Sequence, residues 1–229
     1  MSTTRTIRTS SLPVVLDATL AAVDLHVTTE ARPDGEVVVS TADHTGPSAD
    51  AVNAALLDVR GNQLVIRLDH AGGTTIVQTG RGMTITQSFG TVTGNVTGAT
   101  IINGRVASGG GTFISGGSPV TVTARLPHGS SVRAQTQSGG IHLEGVYNEA
   151  DASSQSGDID VDTAKVVQAR TQSGDIGVRA LTGSGALQSM SGDIEVRGPQ
   201  GASASARTMS GDVRSSGGIV VAGSSMSGR

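Results

Sequence analysis

Four aspartates recur in matching surroundings: Asp158, Asp175, Asp193 and Asp212. They sit in QSGDI (155–159), QSGDI (172–176), MSGDI (190–194) and MSGDV (209–213). A stacked row of carboxylates could hold calcium, which takes about six to eight oxygen ligands. Calcium-binding β-rolls place their aspartates about nine residues apart. Here the spacings are 17, 18 and 19 residues, so each repeat offers one such carboxylate. Two carboxylates one strand spacing (about 4.8 Å) apart repel by only about 1 kcal/mol in water, so the row requires no ion. Arg179, Arg197 and Arg214 lie close enough in sequence to offset its charge. The ligand count favours a structural corner, and no metal site is expected.

Other chemistry is weaker still. Glycoside hydrolysis needs two carboxylates in different environments, and a ladder of equivalent aspartates singles out no such pair. Sugar-binding platforms use aromatics, and the repeat zone contains only Tyr147. The histidines are His26, His44, His70, His128 and His142, none at metal-ligand spacing from another. His26 and His142 occupy outward strand positions and the rest lie near turns, as solvated side chains do. Gly109–Gly111 and Gly80-Arg81-Gly82 do not make a phosphate-binding loop. The expectation is no catalytic residue, no cofactor and no enzymatic activity.

The elements that position these residues follow from a period. Ser-Gly pairs begin at Ser138, Ser156, Ser173, Ser191, Ser210 and Ser227, at intervals of 18, 17, 18, 19 and 17 residues. Such self-similarity marks a repeat architecture. About 18 residues at roughly 3.3 Å each trace about 60 Å, one coil of a narrow solenoid. In-register positions are Ile141, Ile159, Ile176, Ile194 and Val213, and two residues on come Leu143, Val161, Val178 and Val196. A spacing of two puts both on one strand face. Ser215 breaks the second column, and Ala152, Ala169 and Ala206 are small interior candidates on the returning half, which ends near Ala-x-Ser/Thr. The corner residues are then Ser138-Gly139, Ser156-Gly157-Asp158, Ser173-Gly174-Asp175, Ser191-Gly192-Asp193 and Ser210-Gly211-Asp212. Glycine there permits a positive φ, and Ser and Asp supply local side-chain bonds.

Composition agrees. There are 33 glycines, one tyrosine, two phenylalanines and no tryptophan or cysteine. Val and Ile ladders build a core without aromatics, and there is neither a disulfide nor a thiolate metal site. A net charge of −3 gives no argument for nucleic acid. No stretch approaches the roughly 18 apolar residues of a membrane span, and MSTTRTIRTSS is followed by no apolar signal region. The chain as given therefore reads as cytoplasmic.

Three zones are expected. Residues 1–70 form a short-strand region that packs onto or starts the solenoid. Val23, Leu25 and Val27 alternate there with Asp24 and His26, GEVVVST is a strand, and two strands meet around Gly61-Asn62 with Leu64, Ile66 and Leu68 on one face. Ser48 is expected to cap a short helix that aligns Val52, Ala55 and Leu56. Residues 71–118 are a Gly/Thr-rich insert or irregular coils, with Val92, Val96, Ile101, Val106 and Ile114 inward. Residues 119–229 carry the regular repeats, opened by two strands around Pro127-His128-Gly129. The fold class is all-β, a β-solenoid (β-helix) of about 17–19 residues per coil in its C-terminal half.

The repeated SGDI-x-V, the preceding VTVTARLPHGSSVRAQTQSGGI and the short-strand N-terminal zone together resemble the bacterial putative-adhesin family of β-strand-repeat proteins, catalogued as domain of unknown function 4097. The resemblance covers about residues 10–70 and 119–229. It implies a β-solenoid, no established enzymatic activity, and envelope association, although this chain shows neither signal nor anchor. The expected role is a non-enzymatic structural or interaction scaffold with a protein or cell-envelope partner. The alternatives are a carbohydrate-binding or carbohydrate-active β-helix and a self-polymerising, cytoskeleton-like scaffold. The chain stops at SSMSGR, the opening of a further repeat, and uncapped coil edges invite self-association through solenoid ends.

Overall fold

A computed structural model describes residues 2–69, four strands within 74–108, and residues 118–226. Strands β1 (Thr3–Thr9), β2 (Val15–Leu20), β3 (Leu25–Glu30) and β4 (Gly35–Thr41) precede helix α1 (Pro47–Ala54). Then come β5 (Leu56–Arg60) and β6 (Gln63–Leu68). Two separate antiparallel pairs follow: β7 (Thr74–Gln78) with β8 (Met83–Gln87), and β9 (Thr100–Ile102) with β10 (Arg105–Ser108). The remainder is β11 (Val120–Pro127), β12 (Ser130–Thr136), β13 (Ile141–Ser154), β14 (Ile159–Thr171), β15 (Ile176–Ser191), β16 (Ile194–Arg197), β17 (Ser203–Ser210), β18 (Val213–Ser216) and β19 (Val220–Ser225).

Fifteen strands join in one sheet that nearly closes on itself, a β-solenoid-like fold. One face runs β1-β4-β11-β3, through the first residues of β13, β14 and β15, to β16 and β18. The other runs β5-β6-β2-β12, through the later residues of the same three long strands, to β17 and β19. Pairing is parallel except among β1, β4 and β11 and between β5 and β6. Each long strand changes face at an irregularity in register. In β13 this lies between Leu143 and Val146, where Gly145 takes φ 100°.

The ladder residues stack as Ile141↔Ile159↔Ile176↔Ile194↔Val213. Leu143, Val161, Val178 and Val196 form the second column. All are buried apart from Val213, which is partly buried, and Ser215 is exposed. Both columns run on through the N-terminal zone: Leu25 and Val27, then Val122 and Ala124, then Val39 and Val37. On the other face Ala18, Ala134, Ala152, Ala169, Leu187 and Ala206 align. These columns form one continuous buried cluster.

Zones far apart in sequence share the sheet. Strand β11 lies between β4 and β3, and β12 lies between β2 and β13. The turn at Pro127–Gly129 therefore passes the chain from one face to the other instead of closing a hairpin. The turn at Gly61-Asn62 does close one, with Leu64, Ile66 and Leu68 buried. Helix α1 corrects the expected cap: its N-cap is Gly46, followed by Pro47, and Ser48 is buried inside the first turn. Val52 and Ala55 are buried as aligned, but Leu56 begins β5 and is exposed. The inward positions proposed for Val92, Val96 and Ile114, His70, the glycine clusters and the last Ser-Gly pair lie outside the described residues. Strands β9 and β10 hold Ile101 and Val106, which are register partners.

Candidate functional site: coil corners and one outer face

Each corner is a junction between successive coils. The four residues after β12, β13 and β14, and the two after β15 and β17, turn the chain toward the next ladder strand. Gly139, Gly157 and Gly174 are buried, and Gly192 and Gly211 partly so. Four of the five have no positive φ; Gly211 alone does, at 149°. Glycine is required for a different reason from the one expected. A Cβ on Gly157 would lie 2.0 Å from the carbonyl oxygen of Gly139, and one on Gly174 2.4 Å from that of Gly157. Gly139, Gly192 and Gly211 meet the preceding coil at 2.0, 2.1 and 2.3 Å. The coils touch backbone to backbone here, which leaves no room for a side chain.

The corner serines also act differently from expectation. Ser138, Ser156, Ser173, Ser191 and Ser210 are exposed. It is the N–H groups of the first four that bond the preceding coil, as from Ser156 to Gln137 O at 3.0 Å. The hydroxyl that serves the corner comes two residues earlier. Ser154 accepts from Gly157 N–H at 2.8 Å and donates to Gly139 O at 3.4 Å. Thr136, Thr171, Ser189, Thr208 and Ser225 donate to the corner carbonyls of Ala21, Gly157, Gly174, Gly192 and Gly211. Thr136, Ser154, Thr171 and Thr208 are the hydroxyl residues of Ala-x-Ser/Thr, whereas Ser189 follows Leu187-Gln188 and Ser225 follows Gly223-Ser224. Among the described residues no buried side-chain nitrogen or oxygen lacks a partner.

The aspartates have a definite role in the corners. Oδ1 of Asp158, Asp175 and Asp193 accepts the N–H of Asp175, Asp193 and Asp212, at 2.9, 2.8 and 2.9 Å. Carboxylates thus satisfy the exposed backbone donors of the following coil. Asp24 does the same for Gly140 at 2.8 Å, so Ala21–Asp24 is a corner without a Ser-Gly pair. Arg214 pairs with Asp193 and Asp212, at 3.3 and 2.8 Å. Arg179 and Arg197 pair elsewhere, with Asp162 and Glu195. Among the described residues no three His, Asp or Glu side chains are grouped to hold a metal ion.

The outer side of the first face carries a further group of charges. Between the buried ladder residues stand His26, His142, Asp160, Gly177 and Glu195, in register. The His26 and His142 rings stack with centroids 4.9 Å apart, and His142 Nδ1 lies 3.1 Å from Asp160 Oδ2. A depression of about 330 Å³ lies on this face, with Gly177 in its lining. Asp160 and Glu195 flank it, with Glu144, Asp162, Arg179 and Arg197 along its side. Arg179 and Asp162 are 3.9 Å apart, and Arg197 Nε lies 3.0 Å from Glu195 Oε1. His44 is exposed, and His128 Nδ1 lies 3.4 Å from Thr29 Oγ1.

Tyr147, the single tyrosine, points inward. Its one O–H proton is shared between Val27 O (2.8 Å) and Glu144 O (3.0 Å), tying β3 to the bend in β13. Burial, then Glu144 and Asp162, push the phenol above its ordinary value, which is about 10. The stabilisation of the neutral form is complete below about pH 10 and is lost as pH rises through the higher folded value. Phenolate absorbance should therefore rise together with alkaline unfolding, and Tyr147→Phe should remove that contribution. Titration near pH 10 with circular dichroism unchanged would contradict the buried, hydrogen-bonded ring.

The chain is similar to known proteins in sequence and in fold. The model of the Toastrack DUF4097 family matches residues 65–218. The chain belongs to that family. The match spans 154 of 229 residues (218 − 65 + 1), beginning within β6 and including the insert. A putative adhesin from Bacteroides fragilis is similar in structure, with TM-score 0.50 and 13% identity over 98% of this chain and 95% of that one. A putative adhesin from Parabacteroides distasonis gives TM-score 0.46 and 12% identity, over 100% and 94% of the two chains. A putative cell adhesion protein from Clostridium sporogenes gives TM-score 0.40 and 8% identity, over 95% and 98%. No curated protein matches. No helix among the described residues is long and apolar enough to cross a membrane.

Proposed function

We propose that this Toastrack chain is a non-enzymatic interaction module, a rod of 17- to 19-residue coils that presents its first face to a protein or cell-envelope partner. The observation that carries this reading is the outward column His142, Asp160, Gly177 and Glu195, with Asp162, Arg179 and Arg197 beside it. Carboxylate and guanidinium groups are set one strand spacing apart on a frame whose polar interior is satisfied by corner bonds. Such a surface recognises a charged, extended partner by complementarity. The description of the Bacteroides fragilis relative as a putative adhesin points the same way. The carbohydrate reading has less support: Tyr147 is inside, and the depression is lined by ion pairs with no aromatic platform.

The test is retention of the purified chain on isolated bacterial envelopes. The variant Glu144→Arg/Asp160→Arg/Glu195→Arg should be retained at least tenfold less than the wild type, with the same circular dichroism and melting temperature. Equal retention, or none for either, would overturn the reading. Release of reducing ends from acidic polysaccharides, abolished by Asp160→Asn, would replace it with a carbohydrate-active one.

A further inference from the structure

One corner column changes chemistry along the stack. The residue before each Ser-Gly pair is Gln137, Gln155 and Gln172 in the first coils, then Met190 and Met209. Met226 follows in the same column: Ser189 pairs with Thr208 and Thr208 with Ser225, and each methionine is the next residue. All three point outward, 51%, 49% and 78% exposed. They are three of the five methionines of a chain with no cysteine, so its soft sulfur donors are concentrated here.

We infer that Met190, Met209 and Met226 form a thioether site for a soft monovalent cation, Cu(I) or Ag(I). Neighbouring strands lie about 4.8 Å apart, which places three sulfurs along roughly 10 Å of edge. Methionine has three rotatable bonds and a polarisable sulfur, so the outer two side chains can lean toward the middle one. Thioethers select Cu(I) over hard divalent ions. The outward positions two residues earlier are Gln188, Arg207 and Ser224, which supply no carboxylate for a hard cation. The stripe is also one side chain wide, whereas apolar protein-binding patches span several hundred Å². Three donors in a row suit an ion better than a protein surface.

The probe is Ag(I), with Cu(I) held reduced by ascorbate under nitrogen as a second titrant. The full chain is titrated against a chromogenic Cu(I) chelator, and its methionine methyl groups are followed by NMR after carbon-13 labelling. One equivalent should bind, with the methyl signals of Met190, Met209 and Met226 shifting. Met209→Leu keeps side-chain volume and should weaken binding at least tenfold, whereas Gln172→Leu, at the exposed corner position before Met190, should not. Zn(II) should leave the methyl signals in place. Failure of the wild type to compete with the chelator overturns the assignment, and so does Met209→Leu binding as tightly as the wild type. A melting curve for each variant separates lost ligation from lost fold.

Discussion

Gly157→Ala should destabilise the chain by about 3 kcal/mol or more, at or beyond the upper end of ordinary overpacking. The new Cβ would sit 2.0 Å from Gly139 O, 2.5 Å from Gly139 C and 2.9 Å from Gly140 N. All three are backbone atoms, so no rotamer change relieves the contact. The lower coil cannot retreat freely either, because Gly157 N–H is held by Ser154 Oγ, which in turn donates to Gly139 O. The adjoining Ser156 is the internal control. It is exposed and bonds the lower coil through its N–H, so Ser156→Ala should stay within about 0.5 kcal/mol of the wild type. Urea denaturation of the two variants decides the matter. Coincident midpoints would mean that the coils do not approach this closely.

That pair also shows what the sequence made legible. The period, the Ile and Val columns and the place of each corner were readable, because partners about 18 residues apart repeat the same local text. The cause of the corner glycine was not. A positive φ is a property of one residue, whereas the contact at Gly157 exists only once a second coil is in place. The hydroxyl of Ser154 is similar: Ala-x-Ser/Thr is visible as text, but its bond partners lie in the corner and the preceding coil. Asp24 was hidden by distance, since it joins the ladder through Gly140 with no Ser-Gly pair nearby. The one available hint was Leu25-His26-Val27 beside Ile141-His142-Leu143, two apolar positions around an outward histidine. Insertion of β11 between β3 and β4 had no such hint, because it is decided by which strand edges remain unpaired. On the candidate site, the spacing of two that buries Ile159 with Val161 and Ile194 with Val196 places Asp160 and Glu195, the residues between, on the outside. It did not show that they would line one depression with Asp162, Arg179 and Arg197.

Ile176→Ala should cost about 3–5 kcal/mol, the upper part of the range for large-to-small core changes. Ile176 is 1% exposed and lies between Ile159 and Ile194. How far a cavity is relieved depends on how well its walls collapse. Here the walls are the ladder residues of two adjoining strands, held at their spacing by backbone bonds such as Ile159 N–H to Asp175 O and Ile176 N–H to Asp193 O, both 2.9 Å. Val213→Ala removes side chain from the same column, but Val213 is only partly buried and pairs through β18 with β16 alone. It should cost less than about 1 kcal/mol. The position in the stack has a second consequence. Solenoid stability is a sum of coil terms and nearest-neighbour interfaces, and Ile176 contributes to the interfaces on both sides. Its loss should uncouple β16–β19 from the coils before them, lower the denaturant slope, and let amides in β17 exchange ahead of those in β13. Equal losses for the two variants, or a single transition of unchanged slope for Ile176→Ala, would mean that the core acts as one block and not as stacked coils.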